Sequence, residues 1–154
     1  QRQMCIRDSH IVESTILNLE QEALKKSIKI ESLVDKRIEV LSDFISLDII
    51  ISNYLNNALA YSPNNSKILI TAEEVDKKIK LSVKDEGEGI PENYKDRVFE
   101  RFFRVDKGRS LNQGGTGLGL SIVKNLASTL SCTVGVENLE PKGASFWIEL
   151  NKST

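Results

Sequence analysis

Residues 43–62, DFISLDIIISNYLNNALAYS, carry the strongest helical pattern in the chain. Apolar side chains recur in it at intervals of three and four residues, which places them along one face of an amphipathic helix. These side chains are Leu47, Ile50, Ile51, Tyr54, Leu55, Ala58 and Leu59. Pro63 lacks a backbone donor and stops the helix. The pattern predicts a helix over 46–60 with one buried face.

Asn53 and Asn57 lie one turn apart on this helix and border its apolar face. Asparagine is a mediocre helix former, and a face turned to solvent more often carries Glu, Lys or Gln. Two amide groups in line can bind a hard cation through oxygen, or orient a phosphate. The alternative is an ordinary polar surface, since Asn56 lies nearly opposite the apolar face.

The rest of the chain alternates between helical and strand-like patterns. The helical stretches are 11–26 and the segment that begins at Gly119; the strand-like ones are 28–33, 38–41, 67–73, 79–85, 132–136 and 144–150. The runs at 67–73 and 79–85 are joined closely enough to form a hairpin. Three main helices on one face of a mixed, mostly antiparallel sheet make a two-layer α/β sandwich of the α+β class, which is the fold we expect.

The composition suits one compact domain. At 154 residues and 40% hydrophobic, the chain is long enough to bury a core. Its 21 basic and 22 acidic side chains are spread along the sequence, without the basic block that nucleic-acid phosphates would require. No apolar run approaches the ~18 residues that span a bilayer, and two distant cysteines suit a reducing compartment. We therefore expect no nucleic-acid partner and no direct membrane contact.

The first nine residues, QRQMCIRDS, match no periodicity that follows them. They resemble translated library-adapter sequence of the kind found at the ends of assembled metagenomic reading frames. The alternative is a frayed natural terminus. On either interpretation we expect residues 1–9 to be foreign or disordered and the domain to cover 10–154. If the adapter interpretation is right, the natural protein continues upstream.

KDEGEGI, residues 84–90, ends the strand predicted at 79–85. Counting by twos from Ile79 places Asp85 on the face that the strand buries. A buried carboxylate is costly unless it accepts hydrogen bonds. Asp85 could cap its own turn, as aspartate commonly does before glycine, or it could accept from the exocyclic amine of a ligand. The short DxGxG pattern alone favours the turn.

Glycine dominates QGGTGLGLSIVK, residues 113–124, until a helical period takes over. A backbone of this kind can approach an anion closely and then present free N–H groups at the positive end of a helix. The pattern is not a P-loop, which needs GK[ST], nor a Rossmann fingerprint, which needs a preceding strand. It favours a phosphate site over a flexible loop ahead of a helix.

Four segments, taken in order, resemble the boxes of the catalytic and ATP-binding domain of sensor histidine kinases. This domain belongs to a superfamily shared with gyrase, a heat-shock chaperone and mismatch-repair ATPases. Residues 43–62 resemble the N box, 85–90 the first glycine box, 98–104 the F box and 114–120 the second glycine box. KGASFWIEL, residues 142–150, resembles the final strand. The resemblance runs from about residue 10 to 150 and implies a Bergerat-type ATP-binding fold.

ATP and Mg²⁺ are the cofactors that the resemblance implies. Asn57 matches the asparagine that ligates Mg²⁺, and Asn53 matches the polar residue one turn earlier that faces the phosphates. Asp85 matches the carboxylate that accepts from adenine N6. The other implied nucleotide contacts are Tyr61, Gly87, Gly89 and Ile90 at the base, and Gly115, Thr116, Gly117, Leu118 and Gly119 at the phosphates.

Residues 91–115 match the ATP lid, a mobile loop that orders over nucleotide. Arg101 or Arg104 in this lid could reach the γ-phosphate; the alternative is an arginine on an exposed turn. The lid phenylalanines, Phe99, Phe102 and Phe103, are expected to pack the lid rather than stack on the base. Ala60 departs from the family, which often has a lysine or arginine there in contact with phosphate.

The implied reaction is transfer of the ATP γ-phosphoryl group to a histidine. His10 is the only histidine, and it lacks the sequence context of the family's acceptor. The acceptor is therefore expected on an upstream dimerisation domain that is missing here, and a response regulator is the implied partner. We expect this fragment to be a monomeric, cytoplasmic domain and its parent to be a membrane-anchored homodimer. An anti-sigma-factor-type serine kinase and a non-transferring ATP sensor are the alternatives.

Overall fold

The structure is a computed structural model that describes residues 3–103 and 118–153. Its helices are α1 (Asp8–Asn18), α2 (Glu20–Lys25), α3 (Phe44–Tyr61) and α4 (Gly119–Thr129), with a short 3-10 helix at Glu92–Tyr94. Its strands are β1 (Met4–Arg7), β2 (Lys29–Ser32), β3 (Glu39–Ser42), β4 (Lys67–Val75), β5 (Lys78–Lys84), β6 (Thr133–Asn138) and β7 (Ala144–Lys152). In these two ranges, no helix is both long and apolar enough to cross a bilayer.

The described strands form one mixed sheet in the order β1-β3-β7-β5-β4-β2. One edge of β7 pairs with β5 along its length, and the other edge is divided between β6 at residues 144–149 and β3 at residues 151–152. Only the β2–β4 pair is parallel among these strands. The helices pack on one face of this sheet, which confirms the predicted two-layer α+β fold.

Helix α3 is the central element of the helical layer. The Asp43 side chain begins it by accepting from the Ser46 N–H at 2.9 Å, a typical N-cap bond. All seven apolar side chains of the predicted stripe are buried. Tyr54 is among them; its hydroxyl donates to the Trp147 carbonyl at 2.8 Å, and its ring lies 5.6 Å from that of Phe146. These contacts fix α3 against β7.

The predicted hairpin is β4 and β5, which pair antiparallel from Leu69 to Val75. Its two turn residues, Asp76 and Lys77, have φ angles of +50° and +67°. Positive φ at both central positions is the geometry of a type I′ turn, whose twist matches that of the strands it joins. The hairpin delivers Asp85, directly after β5, to one end of the sheet.

The N-terminal part differs from expectation in two ways. Met4–Arg7 pairs with Glu39–Ser42 and α1 begins at Asp8, so residues 4–9 take part in the fold rather than lying disordered outside it. The stabilising contact is strand pairing, which buries Ile6 in the core. The helix predicted over 11–26 is divided at Leu19, whose ψ angle of 10° interrupts the helical backbone between α1 and α2.

Candidate functional site

Asp85 is buried, with 5% of its surface exposed, as its place in the strand alternation predicted. Its Oδ1 accepts from the N–H of Gly87 at 2.9 Å and from that of Ala144 at 3.2 Å. Its own N–H donates to the Ala144 carbonyl at 2.9 Å. Both hydrogen bonds that the structure gives to the carboxylate end on Oδ1. Asp85 therefore does cap its own turn, and Oδ2 is the oxygen through which it can serve a ligand.

Burial raises the pKa of the Asp85 carboxyl, and the bonds from Gly87 and Ala144 oppose that rise. The net direction is upward, so this carboxylate is a stronger proton acceptor than an ordinary aspartate. A partly desolvated acceptor of this kind gains more from a single well-placed donor than an exposed one would. Its environment suits recognition of a neutral N–H group.

Two glycines allow the backbone to close tightly around Asp85. A Cβ at Gly87 would lie 2.7 Å from the Tyr61 carbonyl oxygen. A Cβ at Gly143 would overlap the Asp85 carbonyl oxygen, and the φ angle of Gly143 is +108°. Both positions exclude a side chain by contact with backbone, which cannot move aside as a flexible side chain could. The loop after β5 is thus held between the end of α3 and the start of β7.

The predicted phosphate end lies further back along α3. Asn53 is half-buried and donates through Nδ2 to the Ile49 carbonyl at 2.9 Å. Its Oδ1 faces the start of α4, because a Cβ at Gly119 would lie 2.9 Å from that oxygen. The amide of Asn53 and the N-terminus of α4 are therefore in contact. The first turn of a helix presents N–H groups that have no partner within the helix, and this feature suits an anion.

Asn53, Asn57 and Tyr61 follow one another at intervals of four residues, along one line of α3. With a rise of 1.5 Å per residue, this line is about 12 Å long. Gly119 meets α3 at its Asn53 end, and Gly87 meets α3 at its Tyr61 end. Asn57 is half-buried between them, and Tyr61 is 41% exposed. The structure thus brings the amides, the buried aspartate and the glycine-led helix to one side of the molecule.

The described part of the predicted lid is 91–103. Val98 and Phe99 are buried in the core, and the Phe99 ring lies 6.3 Å from that of Phe146. Phe103 packs against Tyr94 with ring centroids 5.3 Å apart. Phe102 is exposed, so packing accounts for two of the three phenylalanines.

Arg101 is exposed, and its guanidinium lies 5.4 Å from the centre of the Phe102 ring. Leu118 immediately precedes α4 and is half-buried. The remaining predicted site residues, Arg104, Gly115, Thr116 and Gly117, lie outside the described residues. Their roles stay predictions.

Two polar residues that were not among the predicted site residues support the site. The Asn138 side chain, at the end of β6, bonds to both backbone groups of Ile90. The Lys26 ammonium donates to the carbonyls of Leu59 at 2.6 Å and Ser62 at 2.8 Å, at the end of α3. Neither residue belongs to a motif or a periodic pattern. Gly143, the other residue that supports the Asp85 loop, was visible in the sequence as a glycine directly before the predicted last strand.

Comparison with known proteins agrees with this geometry. The family described as histidine kinase-, DNA gyrase B-, and HSP90-like ATPase matches residues 42–154. The sensor-like histidine kinase SenX3 of Mycolicibacterium smegmatis is 41% identical over 111 residues, which are 72% of this chain and 29% of that protein. The sensor histidine kinase WalK of Bacillus subtilis is 37% identical over 123 residues, 79% of this chain and 20% of that protein. The chain spans about a third or less of the length of the curated relatives it matches.

Solved structures give the same result. The catalytic domain of the histidine kinase ThkA superposes with a TM-score of 0.86 at 26% identity, covering 99% of this chain and 97% of that one. Full-length ShkA in complex with AMPPNP has a TM-score of 0.85 at 28% identity, over 99% of this chain and 31% of that one. ThkA in complex with the response regulator TrrA has a TM-score of 0.81 at 25% identity, over 98% and 42%. The chain therefore belongs to the histidine kinase-, DNA gyrase B-, and HSP90-like ATPase family, and within it to the ATP-binding catalytic domains of sensor histidine kinases.

Proposed function

We propose that this domain binds ATP with Mg²⁺ and donates the γ-phosphoryl group to a histidine on an upstream dimerisation domain, from which it passes to a response regulator. The observation that carries the proposal is the line along α3. At one end Asn53 contacts Gly119 at the start of α4, and at the other end the Tyr61 backbone contacts the Asp85 loop. This arrangement provides a phosphate-binding end and a base-binding end on one helix.

At the base end, Asp85 is the residue that selects adenine. Oδ1 is engaged by the N–H groups of Gly87 and Ala144, so Oδ2 accepts from the exocyclic amine of adenine. Gly87 and Gly89 keep the loop close to the base, and Ile90 and Tyr61 border it. A guanine, which has a carbonyl at the equivalent position, would set two acceptors against each other.

At the phosphate end, Asn53 faces the phosphates, while Gly115, Thr116, Gly117, Leu118 and Gly119 provide backbone contacts. Asn57 is the residue that would hold Mg²⁺ through its amide oxygen. Amide and phosphate oxygens are hard donors of the kind that Mg²⁺ prefers, so a site shared by Asn57 and the ATP phosphates fits this ion. Bound Mg²⁺ would neutralise charge on those phosphates.

The reaction needs little base chemistry from this domain. The attacking imidazole nitrogen forms a bond to the γ-phosphorus as the bond from that phosphorus to the β-phosphate oxygen breaks, and ADP leaves. The imidazole proton is released to solvent. The domain's contribution is position and charge: Asn53 and the first turn of α4 orient the phosphates, and Arg101 or Arg104 neutralises the γ-phosphoryl group.

A reconstituted transfer assay tests the proposal. The chain is incubated with Mg²⁺ and ATP labelled at the γ-phosphate, together with a separately produced dimerisation domain that carries the acceptor histidine. We expect acid-labile, base-stable phosphate on the partner. Asn57→Ala should lower transfer about a hundredfold, the scale of a lost group that stabilises transition-state charge. Asn125→Ala, at an exposed position on α4, is the matched control.

Other outcomes of the same assay separate the alternatives. Phosphoserine on a small antagonist protein would identify a serine kinase. ATP binding without transfer to any partner would identify an ATP sensor. Ala60 makes this outcome worth testing, because the family often has a lysine or arginine at this position in contact with phosphate. We further propose that the parent is a longer protein in which another region provides dimerisation and a membrane anchor, while this domain stays on the cytoplasmic side as a monomeric unit.

A further inference from the structure

Asn138 bonds to both backbone groups of a single residue. Its Nδ2 donates to the Ile90 carbonyl at 2.7 Å, and its Oδ1 accepts from the Ile90 N–H at 2.8 Å. Two antiparallel residues exchange the same pair of bonds when they face each other in a sheet. The side-chain carboxamide of Asn138, the last residue of β6, therefore makes the pair of bonds that a neighbouring strand would make. The two residues are 48 positions apart in sequence.

Gly89 lies next to this carboxamide and leaves room for it because it has no side chain. Its φ angle is +83°, and a Cβ there would lie 2.8 Å from Asn138 Oδ1. A side chain at position 89 would therefore be strained by the backbone angle and would also displace the amide. The absent side chain at 89 and the polar side chain at 138 are thus complementary.

The segment from Asp85 to Ile90 is held at both of its ends by the same connection, 138–144. Ala144 bonds to Asp85, and Asn138 bonds to Ile90. The connection is itself closed by a bond from the Leu139 N–H to the Gly143 carbonyl at 2.9 Å. Two of the six residues of the held segment are glycines, so without these bonds it would have high conformational entropy.

Ile90 also marks the point where the proposed base-binding loop ends and the lid, 91–115, begins. We propose that Asn138 is a positioning residue for nucleotide binding, which fixes the end of this loop so that Asp85 and the glycines meet adenine in a set geometry. The inference rests on the proposed function. Asn138 touches the loop backbone, so it acts through Ile90 rather than on the nucleotide.

Asn138→Ala removes both bonds and tests the inference. Because Asn138 is exposed, we expect the variant to fold, and the loss of two hydrogen bonds should lower its melting temperature by only a few degrees. The Kd for ATP, measured by titration calorimetry, should rise about tenfold, the equivalent of two modest hydrogen bonds. Asn125→Ala, also an exposed asparagine, should leave the Kd unchanged.

Two further readouts separate positioning from a general loss of structure. Amide hydrogen exchange at Ile90, measured by NMR without nucleotide, should accelerate in Asn138→Ala and not in Asn125→Ala. The preference for ATP over GTP should fall, because the base loop is the part released; a smaller folded fraction would weaken both nucleotides alike. Asn138→Asp keeps the acceptor for the Ile90 N–H but sets a carboxylate oxygen against the Ile90 carbonyl, so its ATP affinity should be no higher than that of Asn138→Ala.

An Asn138→Ala protein that is folded and binds ATP within twofold of the parent would overturn the inference, as would unchanged exchange at Ile90. If the parent itself bound no ATP, the proposed function would fail. The exchange measurement would still show whether the two bonds from Asn138 to Ile90 form in solution. Failure of the proposed function can therefore be told apart from failure of this inference.

Discussion

The two carboxylate oxygens of Asp85 have different surroundings. Oδ1 is bonded to Gly87 and Ala144, which ties the loop to β7, while Oδ2 carries no bond in the described structure and is the oxygen that we propose accepts from adenine. The turn-capping and ligand-binding interpretations of DEGEGI are therefore compatible. Burial raises the pKa of this carboxyl, so acidification protonates it earlier than an ordinary aspartate. Protonation would weaken the proposed hydrogen bond from adenine N6 to Asp85, so ATP affinity should fall as this carboxyl is protonated.

The Asp85→Asn variant should fold normally but lose the proposed hydrogen bond to adenine. The amide Oδ1 can still accept from Gly87 and Ala144, which turns Nδ2 toward the adenine amine and sets two donors against each other. We expect the Kd for ATP to rise about ten- to hundredfold, corresponding to ~1.5–3 kcal/mol for a hydrogen bond to a charged group. Calorimetric titration measures the change, with exposed Asp76→Asn, in the β4–β5 turn at the other end of β5, as the control. Unchanged ATP affinity would show that Asp85 does not contact the base.

Among the helices, α3 is the element on which the site is built, and its C-terminal end is fixed by a distant lysine. The Lys26 ammonium donates to the carbonyls of Leu59 and Ser62, and more weakly to that of Ala60 at 3.4 Å. These carbonyls have no partner within the helix, and a cation also interacts favourably with the negative end of the helix dipole. Partial burial lowers the pKa of Lys26. The turn that Lys26 holds includes Tyr61, whose backbone meets Gly87.

Lys26→Met keeps the aliphatic stem and removes the donors. We expect the free energy of unfolding to fall by about 1–2 kcal/mol, because charge-assisted bonds to the helix end are lost. Urea denaturation followed by circular dichroism measures the change. Lys25→Met, at the exposed neighbouring position, is the matched control and should alter stability by less than about 0.5 kcal/mol. Equal effects of the two substitutions would rule out a capping role for Lys26.

For the molecule as a whole, stability depends on a buried acid remote from the predicted boxes. Asp8, in the first turn of α1, has no exposed surface, and in the described part of the chain neither carboxylate oxygen has a hydrogen-bond partner. Desolvation raises its pKa to about 6. The amides of Asp8 and Ser9 oppose this rise at a geometry short of a hydrogen bond. The folded protein therefore carries a cost for holding this charge at neutral pH.

The pH dependence of this cost has a definite sign. Below about pH 4 the carboxyl is neutral in both folded and unfolded states, and above about pH 6 it is charged in both. Between these values the folded state binds more protons, so stability falls as pH rises. Asp8→Asn should be more stable than the parent at pH 7.5 by up to ~3 kcal/mol, and the difference should vanish near pH 4. Urea midpoints at both pH values measure it, and a difference independent of pH would contradict the assignment to titration of Asp8.

Local patterns in the sequence predicted the main helices and strands and the inward position of Asp85. The three- and four-residue spacing on α3 predicted its buried face, and alternation through β5 placed Asp85 inward, because both patterns repeat within one element. Two helix ends were less visible: Ser27 and Ser131 take left-handed φ angles of +54° and +59° where glycine is the usual signal.

The residues that hold the proposed site in place come from distant parts of the chain and could be identified only from the packed fold. Lys26 reaches the end of α3 across 33 to 36 positions, Asn138 reaches Ile90 across 48, and Ala144 reaches Asp85 across 59. Pairing with β3 also includes residues 4–7 in the fold, a segment that the sequence pattern places outside it. The reason is physical: a single side-chain bond to a remote backbone group has no period, so its partner is set by how the layers pack and not by any neighbouring residue.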